Sequence, residues 1–181
     1  MLSVDVRDWR TDLPATHWKR LEHVRAPQRP DVLVEHLVAG PSGIYVVTEA
    51  KAHASDGPLG MTAAALAADV VRAVVGTRYR PAVQAVLCVR SDGRGLSELS
   101  DGVLVVDSAT LSHTMRCGTR VLSTSEVADV HRTLLHSLVP VPNDPWGHRR
   151  GWWRRPVSVA AGLVGAATLA SACELALSLF R

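Results

Sequence analysis

Two β-rich runs joined by a tight turn constrain the fold of this chain more than any other feature. Residues 31–39 read DVLVEHLVA, residues 43–51 read GIYVVTEAK, and Gly-Pro-Ser-Gly at 40–43 connects them. Apolar, β-branched runs on either side of a glycine- and proline-rich turn are typical of a β-hairpin. We therefore expect two antiparallel strands with this turn at their tip.

Charged side chains alternate along the predicted hairpin. Asp31 and Glu35 share one face of the first strand, and Glu49 and Lys51 share one face of the second. If these faces coincide, Glu35 and Glu49 would bind a divalent metal, Asp31 would assist, and Lys51 would position the attacking water. The alternative is structural: Glu35 faces solvent, and Glu49 with Lys51 forms a charge pair that protects an edge strand from aggregation.

The register of the hairpin decides between these interpretations. With a three-residue loop at 41–43, whose glycine takes the left-handed position, Gly40 pairs with Ile44 and Glu35 lies opposite Glu49. Directly opposite Cβ atoms lie about 4.5–5.5 Å apart, which lets two carboxylates share one cation. A slip of one residue places the two glutamates on opposite faces.

The pattern beyond the hairpin predicts an α/β domain over residues 1–138. Residues 61–77 are long enough to form the crossover helix between two parallel strands. The Ser123 and Glu126 pair has the spacing of a capping box, and Asp107 is expected to cap the helix that follows it. Residues 1–30 show only a weak helical pattern. Further helices are predicted at 108–116 and 123–137, strands at 82–89, 102–107 and 119–122, and a polar loop at 90–101.

The positive net charge of +3 belongs to the C-terminal part of the chain. Residues 1–148 contain 15 Lys and Arg against 16 Asp and Glu, a net of −1, whereas residues 149–181 contain five Arg and one Glu, a net of +4. The positive net charge of the whole chain therefore gives no reason to expect a nucleic-acid-binding face on the domain. Three widely spaced cysteines without a Cys-x-x-Cys pair indicate a reducing compartment.

Residues 157–180 are predicted to form a transmembrane helix. They comprise 24 residues with one charged side chain and no proline, and a helix of that length extends about 36 Å. The linker at 139–156 ends in arginines and two tryptophans, which favour the cytoplasmic side and the membrane interface. We expect a single-pass, tail-anchored protein of the cell membrane with its domain in the cytoplasm. The alternative is a buried helix of a globular core.

Small and polar residues recur every four positions along the predicted anchor. Gly162, Ala166 and Glu174 lie on this stripe, and small residues at such spacing let membrane helices approach closely. An acid within a membrane is costly unless it is protonated or partnered. The stripe predicts a homodimer or a partner helix; the alternative is a chance pattern in an alanine-rich segment.

The segment VEHLVAGPSGIYVVTEAKAH, residues 34–53, resembles the nuclease-related domain (NERD) family, a branch of the PD-(D/E)xK nuclease superfamily. Residues 34–36 stand where that family has Ile-Asp-His, residues 40–43 where it has Gly-Pro-x-Gly, and residues 49–51 where it has acid-x-Lys. The resemblance extends over residues 17–138. The family's second acid usually falls at the position of Thr48, so the acid-x-Lys comes one residue late.

The resemblance implies a restriction-endonuclease-like core, a mixed sheet flanked by helices, and phosphodiester cleavage of DNA or RNA that depends on Mg²⁺ or Mn²⁺. Three functions are compatible with the sequence. One is a membrane-tethered nuclease that is weak or vestigial. Another is a non-catalytic, membrane-anchored scaffold that keeps the nuclease fold to bind a protein or nucleic acid, which the net charge of residues 1–148 favours over the first. The third is a folded regulatory domain that serves the predicted pair of membrane helices.

Overall fold

A mixed sheet of seven strands organises the part of the chain that the computed structural model describes, residues 9, 11–50, 57–89 and 97–141. The α/β class expected from the sequence is confirmed. The strands are β1 (Lys19–Ala26), β2 (Arg29–Gly40), β3 (Gly43–Glu49), β4 (Val83–Val89), β5 (Ser97–Ser100), β6 (Val103–Asp107) and β7 (Val139–Pro140). The helices are α1 (Gly57–Val74), α2 (Leu111–Cys117), α3 (Thr124–Ser137) and a 3₁₀ helix, Thr77–Ala82.

The sheet combines an antiparallel and a parallel part. Its strand order is β5-β6-β4-β3-β2-β1-β7. Strands β1, β2 and β3 pair antiparallel, whereas β3 pairs parallel with β4 and β4 parallel with β6. Helix α1 is the crossover between β3 and β4, as the sequence predicts, because parallel neighbours need a long connection.

Helices cover both faces of the sheet. On one face α1 and α3 pack against the sheet, and the fully buried Ala64 and Ala68 let α1 lie close to the strands. On the other face α2 packs together with the segment before β1, whose Trp9, Leu13 and Trp18 are buried. Burial of these apolar surfaces from both sides is the main source of stability for such a layered domain.

The caps of α2 and α3 show how the sequence sets helix boundaries. Ser123 is the N-cap of α3, and Glu126 completes the predicted capping box, which is confirmed. Asp107 is not the N-cap of α2, a position that Thr110 occupies. Its carboxylate instead accepts the backbone N–H of Ala109 at 3.0 Å, because the chain turns once more between β6 and the helix.

Three local expectations are wrong. The weak helical pattern near the N-terminus is overridden by β1, which pairs with β2, and the predicted polar loop contains β5, which pairs with the edge of β6. The segment 119–122 is not a strand. Its Val121 and Leu122 N–H groups donate to the carbonyl of Pro41 at 2.8 and 2.9 Å, so they satisfy their hydrogen bonds on the hairpin turn.

No helix within the described ranges has the length and apolarity needed to cross a bilayer. The predicted anchor at 157–180 and its pairing residues lie outside the described residues.

Candidate functional site

The hairpin between β2 and β3 has a different register from the one that the metal site requires. Gly40 pairs with Gly43, and the last recorded pair at the other end is His36 with Val47. In this register the residue opposite Glu35 is Thr48. The predicted pairing of Gly40 with Ile44, and with it the opposition of Glu35 and Glu49, is wrong by one residue.

A two-residue connection replaces the expected three-residue loop. Proline at the first central position favours a tight turn, and Gly43 has φ of +147°, which a side chain rarely tolerates. Gly40 is also required, since a Cβ there would lie 2.2 Å from Cε3 of Trp18. Pro41 and Ser42 are held from outside, because the Pro41 carbonyl accepts two N–H groups and the Ser42 hydroxyl donates to the carbonyl of Met115.

Glu35 and Glu49 nevertheless meet at the end of β3. The Oε2 atom of Glu35 accepts the backbone N–H of Glu49 at 2.8 Å. The next N–H along the chain, that of Ala50, donates to Cys88 on the opposite neighbour, β4. The Glu35 side chain therefore provides the acceptor for Glu49 on the β2 side, where the recorded backbone pairs have ended.

His36 is the centre of a polar cluster next to this bond. Its side chain is 7% exposed, and its Nε2 lies 3.4 Å from Oε1 of Glu49. Its Nδ1 lies 4.0 Å from Oε1 of Glu22 on β1. The rings of Trp9 and His23 contact the imidazole edge to face, with centroids 5.7 and 5.8 Å away. The cluster joins β1, β2 and β3 through one buried histidine.

Asp31, another predicted site residue, is not part of this cluster. Asp31 forms two hydrogen bonds of 3.2 Å with the guanidinium of Arg29, and its side chain is 66% exposed. The hydrogen bond from Arg29 lowers the pKa of Asp31, so the carboxylate stays ionised as half of a surface ion pair. Lys51 lies outside the described residues.

One oxygen of each glutamate already has a partner within the protein, so neither carboxylate is fully open to a cation. Magnesium prefers near-octahedral oxygen ligands at about 2.0–2.1 Å. Among the residues that the structure describes, no group of three or more His, Cys, Asp and Glu side chains is placed to hold a metal ion. One oxygen of Glu35 binds a backbone amide, and one oxygen of Glu49 lies against the imidazole of His36.

Sequence reasoning did not find the partners that β1 contributes. Glu22 and His23 come from a segment that showed only a weak helical pattern. His23 has φ of +49°, a left-handed backbone conformation that the local sequence does not predict. Trp9 reaches the cluster from a separate segment. The only available signal was His36 itself, a histidine within an apolar strand next to one of the candidate acids.

The chain matches no protein-family model, no curated protein and no solved structure in three separate comparisons.

Proposed function

We propose that the chain is a single-pass, tail-anchored membrane protein whose cytoplasmic domain keeps a nuclease-related fold for binding and carries a vestigial catalytic site. The observation that carries this proposal is the hydrogen bond from the Glu49 N–H to the Glu35 carboxylate. This hydrogen bond gives Glu35, a candidate metal ligand, a structural role in the sheet. The hairpin, the crossover helix and the parallel strand that follows support a restriction-endonuclease-like core.

The net charge of the domain favours a protein over a nucleic acid as the partner of such a module. Residues 1–148 have a net charge of −1, and nucleic-acid-binding domains depend on a basic surface to attract phosphates. The predicted helix at 157–180, preceded by arginines and tryptophans, supports attachment to the cell membrane with the domain on the cytoplasmic side.

A second candidate function is a weak nuclease that depends on Mg²⁺ or Mn²⁺. It is supported by the proximity of Glu35, His36 and Glu49 at the end of β3 and by the position of Glu49 two residues before Lys51 in the sequence. Two neighbouring carboxylates can hold a metal ion that activates a water molecule for phosphodiester cleavage.

Cleavage assays separate the two functions. The full chain in detergent micelles is incubated with plasmid, linear and single-stranded DNA and with RNA, in Mg²⁺, in Mn²⁺ and in EDTA. The proposal expects no metal-dependent cleavage. Cleavage by the parent that Glu49→Ala and Lys51→Ala abolish, and that the exposed control Glu98→Ala retains, would establish the nuclease instead.

Membrane attachment has its own test. The full chain is expected in the membrane fraction after alkaline carbonate washing, and a chain that lacks 157–180 is expected in the supernatant, because the predicted span is the source of attachment. Recovery of the full chain in the supernatant after the carbonate wash would contradict the predicted transmembrane anchor.

A further inference from the structure

A surface cavity lies beside the hairpin turn, at the opposite end of β3 from the polar cluster of His36. Its volume is about 280 Å³. The described residues that line it include three with basic side chains, His17, Arg116 and Arg120, and no carboxylate. The two arginines make the cavity a local concentration of positive charge in a domain whose charged residues nearly balance.

The two arginines are carried by a segment that is fixed at both ends. Before it, the carbonyl of Met115 accepts the hydroxyl of Ser42. After it, the N–H groups of Val121 and Leu122 donate to the carbonyl of Pro41. Between these points Gly118 packs so closely that a Cβ there would lie 2.9 Å from Cβ of Ser42.

The opposite wall is also preorganised. The N–H groups of His17 and Trp18 both donate to the carbonyl of Pro14, at 3.1 and 3.0 Å, which closes a tight turn. The Trp18 side chain is buried and lies against Gly40. His17 is thereby presented at the rim of the cavity by a turn that has a buried anchor.

The guanidinium groups are available for a ligand. None of the carboxylates in the described ranges pairs with Arg116 or Arg120, and the one side-chain hydrogen bond of Arg120, to the carbonyl of Leu122, is 3.4 Å long. Guanidinium groups recognise phosphate oxygens through pairs of parallel hydrogen bonds, and they keep their charge at every physiological pH.

We propose that this cavity binds a small phosphate-bearing ligand, with Arg116 and Arg120 holding the phosphate oxygens and His17 donating at the rim. The size supports a small ligand, since pockets for larger organic molecules occupy about 300–1,000 Å³. This proposal is independent of the proposed function, because the cavity uses none of the residues of the hairpin's candidate catalytic site.

Titration calorimetry of the full chain in detergent micelles tests the proposal, with inorganic phosphate as the probe and chloride at equal ionic strength as the reference anion. We expect saturable binding of phosphate that weakens about tenfold or more in Arg116→Gln and in Arg120→Gln, because each loses a charge-assisted hydrogen bond. The control Arg132→Gln, which alters an exposed arginine of α3, should bind like the parent.

Glycerol phosphate and a nucleoside monophosphate, titrated in parallel, show whether a lipid headgroup or a soluble nucleotide is the better source of the phosphate. Tighter binding of either supports the proposal and identifies the organic part. Equal heats for phosphate and chloride would overturn it, and so would unchanged phosphate affinity in both arginine variants. Unaltered melting temperatures of the ligand-free variants confirm that any loss of binding is not a loss of folding.

Discussion

The carboxylate of Glu35 accepts the backbone N–H of Glu49 across the ends of two neighbouring strands, at 2.8 Å. A side chain here continues the hydrogen bonding of β2 and β3 beyond the last recorded backbone pair. The same two residues that the sequence suggests as joint metal ligands are thus connected through side chain and main chain. One oxygen of the Glu49 carboxylate lies 3.4 Å from Nε2 of His36.

Replacement of Glu35 tests this structural role. We expect Glu35→Ala to lower the free energy of unfolding by about 1–2 kcal/mol, because a half-buried N–H loses its acceptor. Glu35→Gln should cost less, since the amide oxygen can accept the same bond. Urea denaturation of the full chain in micelles, followed by far-ultraviolet circular dichroism, measures both. The exposed control Glu98→Ala should change stability by less than about 0.5 kcal/mol, and equal losses in the Ala and Gln variants of Glu35 would contradict the assignment.

Gly40 is predicted to tolerate no side chain. A Cβ at this position would lie 2.2 Å from the ring of Trp18, so Gly40→Ala must displace a buried tryptophan or the strand itself. We expect a loss of about 3 kcal/mol or more, at the upper end of the usual cost of overpacking. The matched control is Gly76→Ala, whose nearest contact is 4.0 Å away. Thermal unfolding of the two variants should differ clearly, and similar melting temperatures would refute the close contact.

The capping box of α3 should make stability depend on acid pH. Hydrogen bonds from the backbone N–H and hydroxyl of Ser123, together with Arg78, hold the pKa of Glu126 below its ordinary value. A carboxyl with a lowered pKa in the folded state stabilises the fold above its unfolded pKa, and this contribution is lost as pH falls through the folded pKa. We expect the stability difference between the parent and Glu126→Gln to be largest near neutral pH and to vanish in strong acid. Urea midpoints measured from pH 6 downward check this, and a difference that is constant with pH would argue against it.

Pairing of the predicted anchor can be tested by mutations on its small-residue stripe. If the predicted anchor pairs through this stripe, Gly162→Leu would prevent close approach of the helices and Glu174→Ala would remove a polar contact, so each should reduce self-association severalfold. Ala166→Leu should act like Gly162→Leu. A membrane two-hybrid assay measures the change, and Val164→Leu, away from the stripe, is the control. Association that is the same in all variants would leave the stripe without a pairing role.

The sequence was sufficient to predict the elements whose signals are local. The hairpin, the crossover helix and the capping box of α3 were predicted because turn residues, alanine-rich periodicity and the Ser-x-x-Glu spacing act within a few positions. Strands β1 and β5 were missed because their residues form strands only through pairing with β2 and β6. Tertiary context overrides the weak local preference of such segments.

The register of the candidate site could not be predicted for a similar reason. Two- and three-residue connections are both compatible with Gly-Pro-Ser-Gly. The two connections shift the strand pairing by one residue, and this shift decides whether Glu35 and Glu49 lie directly opposite each other. The groups that hold the shorter turn, among them Trp18 and Met115, belong to distant parts of the chain. The local pattern therefore predicted a hairpin correctly and its pairing incorrectly.

The bond between Ser42 and Met115 joins residues that are 73 positions apart. A hairpin tip usually closes by itself within microseconds, since its contacts are local. This tip acquires its final contacts only when α2 and the segment after it have been synthesised and have returned to the sheet. We therefore expect β2 and β3 to sample both registers early in folding, and the choice between them to be a late, slow step that contact order governs.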